Sequence, residues 1–185
     1  MTQFIVAFVV WFIPAAPSQS VSVSSFQAFQ KAATVLRHPR CINCHIPGDS
    51  PLFGSAGEVH AMRVKRGTDG GGTAVMRCET CHQETNAEVL HGPPGAKEWR
   101  LPSAKTRMAW VGLNDQQLCR AISDSRLNGG MSRDSLTHHM ETDTRVLWAW
   151  NPGLGREAPP MSHREFLGLI RTWIEKGAAC APSAK

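Results

Sequence analysis

The sequence predicts a mainly α-helical fold with long loops and a short β-hairpin. Apolar residues recur at three- and four-residue spacing in several segments that begin with helix-capping residues. The chain also has 16 glycines and 12 prolines, many of them in the stretches between those segments. The pattern Cys-x-x-Cys-His occurs twice, at residues 41–45 and 78–82. We therefore expect one compact domain organised around two sites of the same kind.

The doubled pattern is the attachment sequence for c-type haem. Its two thiols add to the haem vinyl groups, and the adjacent histidine then lies under the iron as proximal ligand. Two haems would also supply apolar core that a chain rich in Gly and Pro lacks. The sequence thus predicts a compact dihaem c-type cytochrome domain with two haem c groups, attached through Cys41, Cys44, Cys78 and Cys81, with His45 and His82 as proximal ligands.

Two other kinds of site contain Cys-x-x-Cys. A structural zinc site could combine both pairs, but it would leave His45 and His82 without a reason to follow each second cysteine directly. A thioredoxin-like redox site would require a surrounding βαβ pattern, which neither copy has. Haem attachment is the interpretation that uses every residue of the motif.

The N-terminus resembles an export signal. Residues 4–13 are apolar and are followed by Pro14 and small residues; this run is shorter than the roughly 20 residues that a helix needs to cross a bilayer. No Lys or Arg precedes the run, so an uncleaved, buried N-terminal helix is the alternative. We expect a signal peptide at 1–20, a single domain at 21–185, a periplasmic location and no membrane span after cleavage.

The first helix is predicted to begin after Ser24 or Ser25 and to end before Pro39. Its apolar positions recur at helical spacing: Phe26, Phe29, Ala33 and Leu36. Residues 59–65 alternate, which predicts a strand that points His60 inward together with Met62 and Val64. The glycine-rich segment 67–72 is predicted to be the hairpin turn, with residues 73–77 returning toward Cys78.

Three further helices are predicted in the C-terminal half. Asn114 with Gln117 forms a capping box for a helix that buries Leu118 and Ile122. Ser132 begins the second, in which one face carries Leu136, His139 and Met140 while His138 points away. The third starts with a capping box of Ser162 and Glu165, carries Phe166, Leu167, Ile170, Trp173 and Ile174 as its apolar stripe, and stops at Gly177.

The sixth ligand of each iron decides what the haems can do, because an open position permits substrate chemistry. His60 and His139 lie on apolar faces and are the predicted distal ligands, with His91 in reserve. The sequence does not assign either one to a particular haem. Behind these histidines stand four methionines: Met62, Met76, Met108 and Met140.

The two cysteines outside the motifs, Cys119 and Cys180, are predicted to form a disulfide because the chain is expected in an oxidising compartment. Two separate buried thiols are the alternative. Three tryptophans, Trp148, Trp150 and Trp173, are candidates to pack on the porphyrins or in an ordinary core.

The formal net charge is +5, and the propionates of two haems would offset most of it. That balance does not indicate nucleic-acid binding. It is compatible with a modest basic patch that faces an acidic redox partner, or simply with a solvated basic face.

Several short segments, most of them outside the two haem motifs, are similar to those of a known protein family. The chain resembles small exported dihaem cytochromes c labelled isoquinoline 1-oxidoreductase subunits, over the stretch from Arg40 through both haem motifs and at residues 66–70, 80–83, 93–96, 108–110, 126–130 and 147–153. This resemblance covers most of the mature chain. It implies a cytochrome that takes electrons from a molybdenum-containing hydroxylase or another periplasmic dehydrogenase.

The sequence therefore favours an electron carrier that passes single electrons from a periplasmic dehydrogenase to a downstream acceptor and has no substrate chemistry of its own. The alternative is a small enzyme that reduces peroxide or a nitrogen oxide at a five-coordinate haem. No separate acid–base constellation is visible in the sequence to support such an enzyme. A haem-based sensor would need an appended output domain, and none is visible.

Overall fold

The structure, a computed structural model, describes residues 23–181. The predicted signal peptide, residues 1–20, lies outside the described residues. Helices, long loops and short hairpins are present as predicted, but only 37% of the structure is helical, so the fold is mixed rather than mainly α. The helices of the described part are α1 (Ser25–Leu36), α2 (Pro39–Ile42), α3 (Asp115–Ser123), α4 (Arg133–Thr142), α5 (Thr144–Trp148) and α6 (His163–Glu175).

Helix α1 begins as the sequence predicts. The Ser24 side chain accepts a hydrogen bond from the Gln27 N–H, and the Gln27 side chain accepts one from the Ser24 N–H, which completes a capping box. The four apolar positions predicted to face the core are all buried. α1 packs against α6, where the Phe29 and Trp173 rings lie 5.0 Å apart. This helix pair forms the centre of the hydrophobic core.

The predicted helices of the C-terminal half are confirmed. Asn114 and Gln117 form the reciprocal capping box of α3, and Ser132 caps α4 by accepting from the Ser135 N–H. Ser162 caps α6 by accepting from the Glu165 N–H, although the return bond that would complete a box is not formed. α6 ends at Glu175, and Gly177 follows with a φ of +96°, as expected of a helix stop.

The predicted disulfide is also confirmed. Cys119 on α3 is bonded to Cys180, which follows α6, and their Cα atoms are 5.4 Å apart. The bridge joins residues separated by 61 positions and ties the C-terminal segment to the helical core. The alternative of two separate thiols is therefore wrong.

The predicted strand and hairpin between residues 59 and 77 are wrong in detail. Two small antiparallel hairpins form instead: β1 (Leu52–Phe53) with β2 (Glu58–Val59), and β3 (Gly72–Thr73) with β4 (Met76–Arg77). The predicted strand breaks after Val59 because Met62 adopts a φ of +62° inside a short 3-10 turn. Met62 is 70% exposed rather than inward-facing.

The glycine-rich segment is a folded loop rather than the hairpin turn. A Cβ on Gly67 would lie 2.0 Å from the Gly72 carbonyl oxygen, so the backbone can close there only at glycine. The Asp69 carboxylate accepts hydrogen bonds from the Gly71 N–H and from Arg77. This loop leads the chain into β3 and then to the second motif.

Within residues 23–181 no helix has both the length and the apolar character needed to cross a membrane.

Candidate cofactor pockets

The first Cys-x-x-Cys-His motif lies at the end of a short helix. His38 caps α2 through its Nδ1, which accepts from the Arg40 N–H, and Pro39 occupies the first turn, where its missing N–H costs nothing. The chain continues to turn after α2, so that the His45 N–H donates to the Cys41 carbonyl. Both thiols and the imidazole therefore line one wall of a cavity of about 380 Å³.

The rest of this cavity comes from the helical core and from the loop at residues 99–110. Its lining is largely aliphatic and aromatic, and it includes His139 from α4. Burial raises the pKa of the Cys41 thiol to about 12 and that of Cys44 to about 11. Both thiols are thus neutral near pH 7, unlike the thiolates of reactive or zinc-binding cysteines. Other lining residues are Val35, Leu36, Met108, Trp110, Ile122, Leu136, Met140, Trp148 and Trp150.

His45 is held in one orientation. Its ring stacks on Trp110 with centroids 3.5 Å apart and an interplanar angle of 2°, and its Nδ1 lies 3.0 Å from the Met108 carbonyl oxygen. Burial lowers the pKa of His45 to about 3, so the ring is neutral. Because a carbonyl can only accept, Nδ1 carries the proton and Nε2 keeps its lone pair.

His139 is held by a carboxylate. Its Nδ1 lies 3.2 Å from Asp143 Oδ2, and Arg145 binds the same oxygen at 2.5 Å. Burial raises the pKa of Asp143, but the hydrogen bonds from His139 and Arg145 lower it by more, so the pKa ends far below its usual range. An ionised Asp143 accepts a hydrogen bond from the Nδ1–H of His139 and so fixes the orientation of the ring, with Nε2 on the side away from the carboxylate.

The second motif follows β4. Cys78 begins a 3-10 turn that ends at Thr80, and the His82 N–H donates to the Cys78 carbonyl at 2.9 Å. Cys78, Cys81 and His82 line a second cavity of about 450 Å³. Loops and hairpins supply most of its other walls, including Phe53, His60, Met62, Val75, Met76, His91 and Trp99.

His82 and His60 both line this second cavity and lie close to each other. His82 stacks on Trp99 with centroids 4.9 Å apart and donates from Nδ1 to the Pro94 carbonyl at 2.7 Å. Burial lowers its pKa. His60 Nδ1 lies 2.7 Å from the Ala61 carbonyl. The two imidazole centroids are 6.0 Å apart with an interplanar angle of 62°.

The four predicted ligands therefore share an arrangement that the other four histidines lack. Each directs Nδ1 to an oxygen acceptor and leaves Nε2 without a hydrogen bond among the described residues. In contrast, His163 uses Nε2 to bind the Met140 carbonyl, and His138 Nε2 lies 3.4 Å from the Thr142 hydroxyl. His38 caps a helix. His91 lines the second cavity, but its side chain makes no hydrogen bond among residues 23–181.

The two cavities adjoin. Cys44 lines both, as do Trp99 and Trp148, whose rings meet edge to face 4.9 Å apart. Of the three tryptophans singled out from the sequence, Trp148 and Trp150 line cavities, whereas Trp173 lies in the core beside Phe29. Trp99 and Trp110, which were not predicted from the sequence to line a site, stack on His82 and His45. No local pattern marks them, since each meets its histidine only through long-range folding.

All four reserve methionines line cavities: Met108 and Met140 the first, Met62 and Met76 the second. Within the part of the chain that the structure describes, no group of three or more His, Cys, Asp or Glu side chains is placed to hold a metal ion. The zinc interpretation, which needs four such ligands, is thus not supported by that part. A haem iron needs only two protein ligands, because the porphyrin supplies the rest.

Comparisons of the chain with protein-family models, with curated proteins and with solved structures found no match. The resemblance to exported dihaem cytochromes therefore stays a prediction from the motifs.

Proposed function

We propose that the protein is a dihaem c-type cytochrome that carries single electrons between exported redox proteins. The first haem is held by Cys41 and Cys44, with His45 and His139 as its axial ligands. The second is held by Cys78 and Cys81, with His82 and His60. The structure thus favours a specific pairing of distal ligand and haem that the sequence left open.

The observation that carries the proposal is the separation of the two imidazoles that line the second cavity. A metal–nitrogen bond of about 2 Å on each side, plus about 1 Å from each nitrogen to its ring centre, separates two axial imidazoles by about 6 Å. The His60 and His82 centroids are 6.0 Å apart. Their Nδ1 atoms are both engaged by backbone carbonyls, which is the usual way to orient a ligating imidazole.

The residues that line the first cavity also support a haem held between two histidines. His45 and His139 line it together with both motif thiols, and they lie near enough for a positive charge on His139 to lower the pKa of His45. The walls are mainly aliphatic and aromatic side chains, as suits a porphyrin face. Asp143 holds His139 much as the Met108 carbonyl holds His45.

Bound haem iron would supply a one-electron change between its ferric and ferrous states. The chain's own contribution is to occupy both axial positions, to exclude water with apolar walls and to fix the orientation of four imidazoles. Two filled axial positions leave no site for a substrate, which favours a carrier over the peroxide- or nitrogen-oxide-reducing enzyme. The disulfide is consistent with a periplasmic location, because such bonds persist in oxidising compartments.

The partners follow from the resemblance. We propose a periplasmic dehydrogenase, in the resembling proteins a molybdenum hydroxylase, as electron donor and a second redox protein as acceptor. Neither nucleic acid nor a membrane span is part of the proposal.

The test is a spectrum of the purified holoprotein in both oxidation states, with haem quantified after acid-acetone extraction. We expect two haems per chain that stay attached when the protein is denatured, both low-spin when ferric and both slow to bind carbon monoxide when ferrous. A haem that extracts into acetone would contradict covalent attachment. One high-spin haem that turns over peroxide would replace the carrier with the enzyme.

A further inference from the structure

Arg40 is a buried cation without a matching anion. The residue is 7% exposed, and its one side-chain hydrogen bond runs from a terminal nitrogen to the Ser55 hydroxyl at 3.3 Å. Its Nε has no partner. Among the described residues, no carboxylate forms an ion pair with it. Burying a guanidinium with so few hydrogen bonds costs folding free energy unless a nearby anion compensates its charge.

The position of Arg40 indicates where an anion that pairs with it would bind. Arg40 precedes Cys41 directly and lines both cavities, with its guanidinium 5.9 Å from the centre of the Trp148 ring that also lines both. Arg156, which lines only the second cavity, donates to the Gly92 and Pro152 carbonyls and has no carboxylate partner among the described residues either. Burial and then the charge of Arg156 lower the pKa of Arg40.

Arg66 shows what a structural buried arginine looks like in this chain. It is 1% exposed, and its two terminal nitrogens donate to the backbone carbonyls of Pro102, Ile46 and Gly48. It lines neither cavity. Arg66 thus ties loops together with three hydrogen bonds, and its Nε, which like that of Arg40 has no hydrogen-bond partner, lies 4.0 Å from a carboxylate oxygen of Asp49. Arg40 makes one side-chain hydrogen bond and no ion pair among the described residues, so most of its donors are available where the two cavities meet.

We propose that Arg40 binds a haem propionate where the two cavities meet and that its positive charge raises the reduction potentials of both haems. This inference rests on the proposed function. A guanidinium is suited to a carboxylate, because its planar fork can donate two parallel hydrogen bonds. A positive charge near an iron favours the ferrous form, which carries one positive charge fewer than the ferric form.

The experiment uses the holoprotein and four variants, with the potential of each haem followed by its low-spin signal in a redox titration. Arg40→Gln should lower both potentials, and Arg156→Gln should lower only that of the second haem. Arg126→Gln is the matched control: its side chain is 86% exposed, pairs with Asp124 and lines neither cavity, so neither potential should move. Infrared difference spectra between the two oxidation states should show shifted propionate carboxylate bands in Arg40→Gln. The same bands should not shift in the Arg126→Gln control.

Arg40→Lys provides a second test if the Arg40→Gln protein does not fold with both haems attached. Lysine keeps the charge but loses the fork, so the potentials should stay close to wild type while the propionate bands still move. Unchanged potentials and bands in Arg40→Gln, or unchanged bands in Arg40→Lys, would overturn the inference. A wild-type protein without two covalent low-spin haems would instead overturn the proposed function, so the two failures are distinguishable.

Discussion

The two candidate haem pockets differ in what builds them. The first lies between helices of the core and the loop at residues 99–110. Its motif residue His45 stacks on buried Trp110, and His139, the proposed distal ligand, is on α4 beside a carboxylate. The second is assembled from hairpins and loops, and His60, the proposed distal ligand there, follows β2 directly. Its lining includes side chains as open as Val75, which is 95% exposed. The same Cys-x-x-Cys-His motif thus lies in two pockets with different surroundings, and the first has the more helical and more buried walls.

Loss of a motif cysteine should have the largest effect and should separate the pockets completely. Cys44→Ala should reduce the covalent haem count at the first site, and Cys81→Ala at the second, because each removes one thioether. Haem-stained denaturing gels and mass spectrometry measure this. Cys180→Ala is the control, since it removes a cysteine outside both motifs and should retain two haems. If both motif variants retained two fully covalent haems, the attachment sites would be wrong.

Loss of a distal histidine should open one iron at a time. His139→Ala should turn the first haem high-spin and let it bind carbon monoxide when reduced, and His60→Ala should do the same for the second. Absorption and electron paramagnetic resonance spectra report both changes. His138→Ala and His163→Ala are matched controls, because neither imidazole has the free Nε2 and bound Nδ1 described above. An opened iron in His91→Ala with none in His60→Ala would move the ligand to the reserve residue.

The disulfide should matter to the helical half and not to haem attachment. Replacing Cys119 and Cys180 together by Ser should lower the free energy of unfolding by about 2 to 4 kcal/mol, because the bridge closes a long loop in the unfolded chain. Denaturant titration followed by circular dichroism measures the loss, and the haem count should stay the same. An unchanged midpoint would mean that the helical half is stable without its cross-link.

The smallest expected effect tests how firmly the first distal ligand is held. Asp143→Asn should loosen His139 and speed carbon monoxide binding to the reduced first haem by about tenfold, the lower end of what such supporting groups contribute to metal sites. The second haem should not respond, since Asp143 does not line its cavity. Flash photolysis resolves the two rates. Equal changes at both haems would contradict the separation of the pockets.

The helical half could be read from the sequence because its signals are local. Capping residues such as Ser24 and Asn114 and the apolar stripe of α6 act within one or two turns. The disulfide followed from counting cysteines outside the motifs. The second pocket was harder, because the backbone of Met62 turns to a positive φ where alternation predicted a strand.

The orientation of the two motif histidines depends on contacts with residues outside the motif, which the sequence alone does not reveal. His45 lies 63 residues from the carbonyl of Met108 that orients it, and His82 lies 12 from that of Pro94. The burial of Arg40 could not be expected from the sequence either, since arginine side chains are mostly exposed to solvent. Its lack of an anion is visible only once its neighbours are known.

If two haems are bound as proposed, the tryptophans that line the cavities would report on folding through their fluorescence. The chain has six tryptophans and no tyrosine, and Trp99, Trp110, Trp148 and Trp150 all line a cavity. A porphyrin within contact distance absorbs the energy of an excited indole before it can be emitted. The tryptophan fluorescence of the folded protein with both haems bound should therefore be almost fully quenched. It should increase on unfolding, as the indoles move away from the porphyrins, so that folding can be followed without an added label.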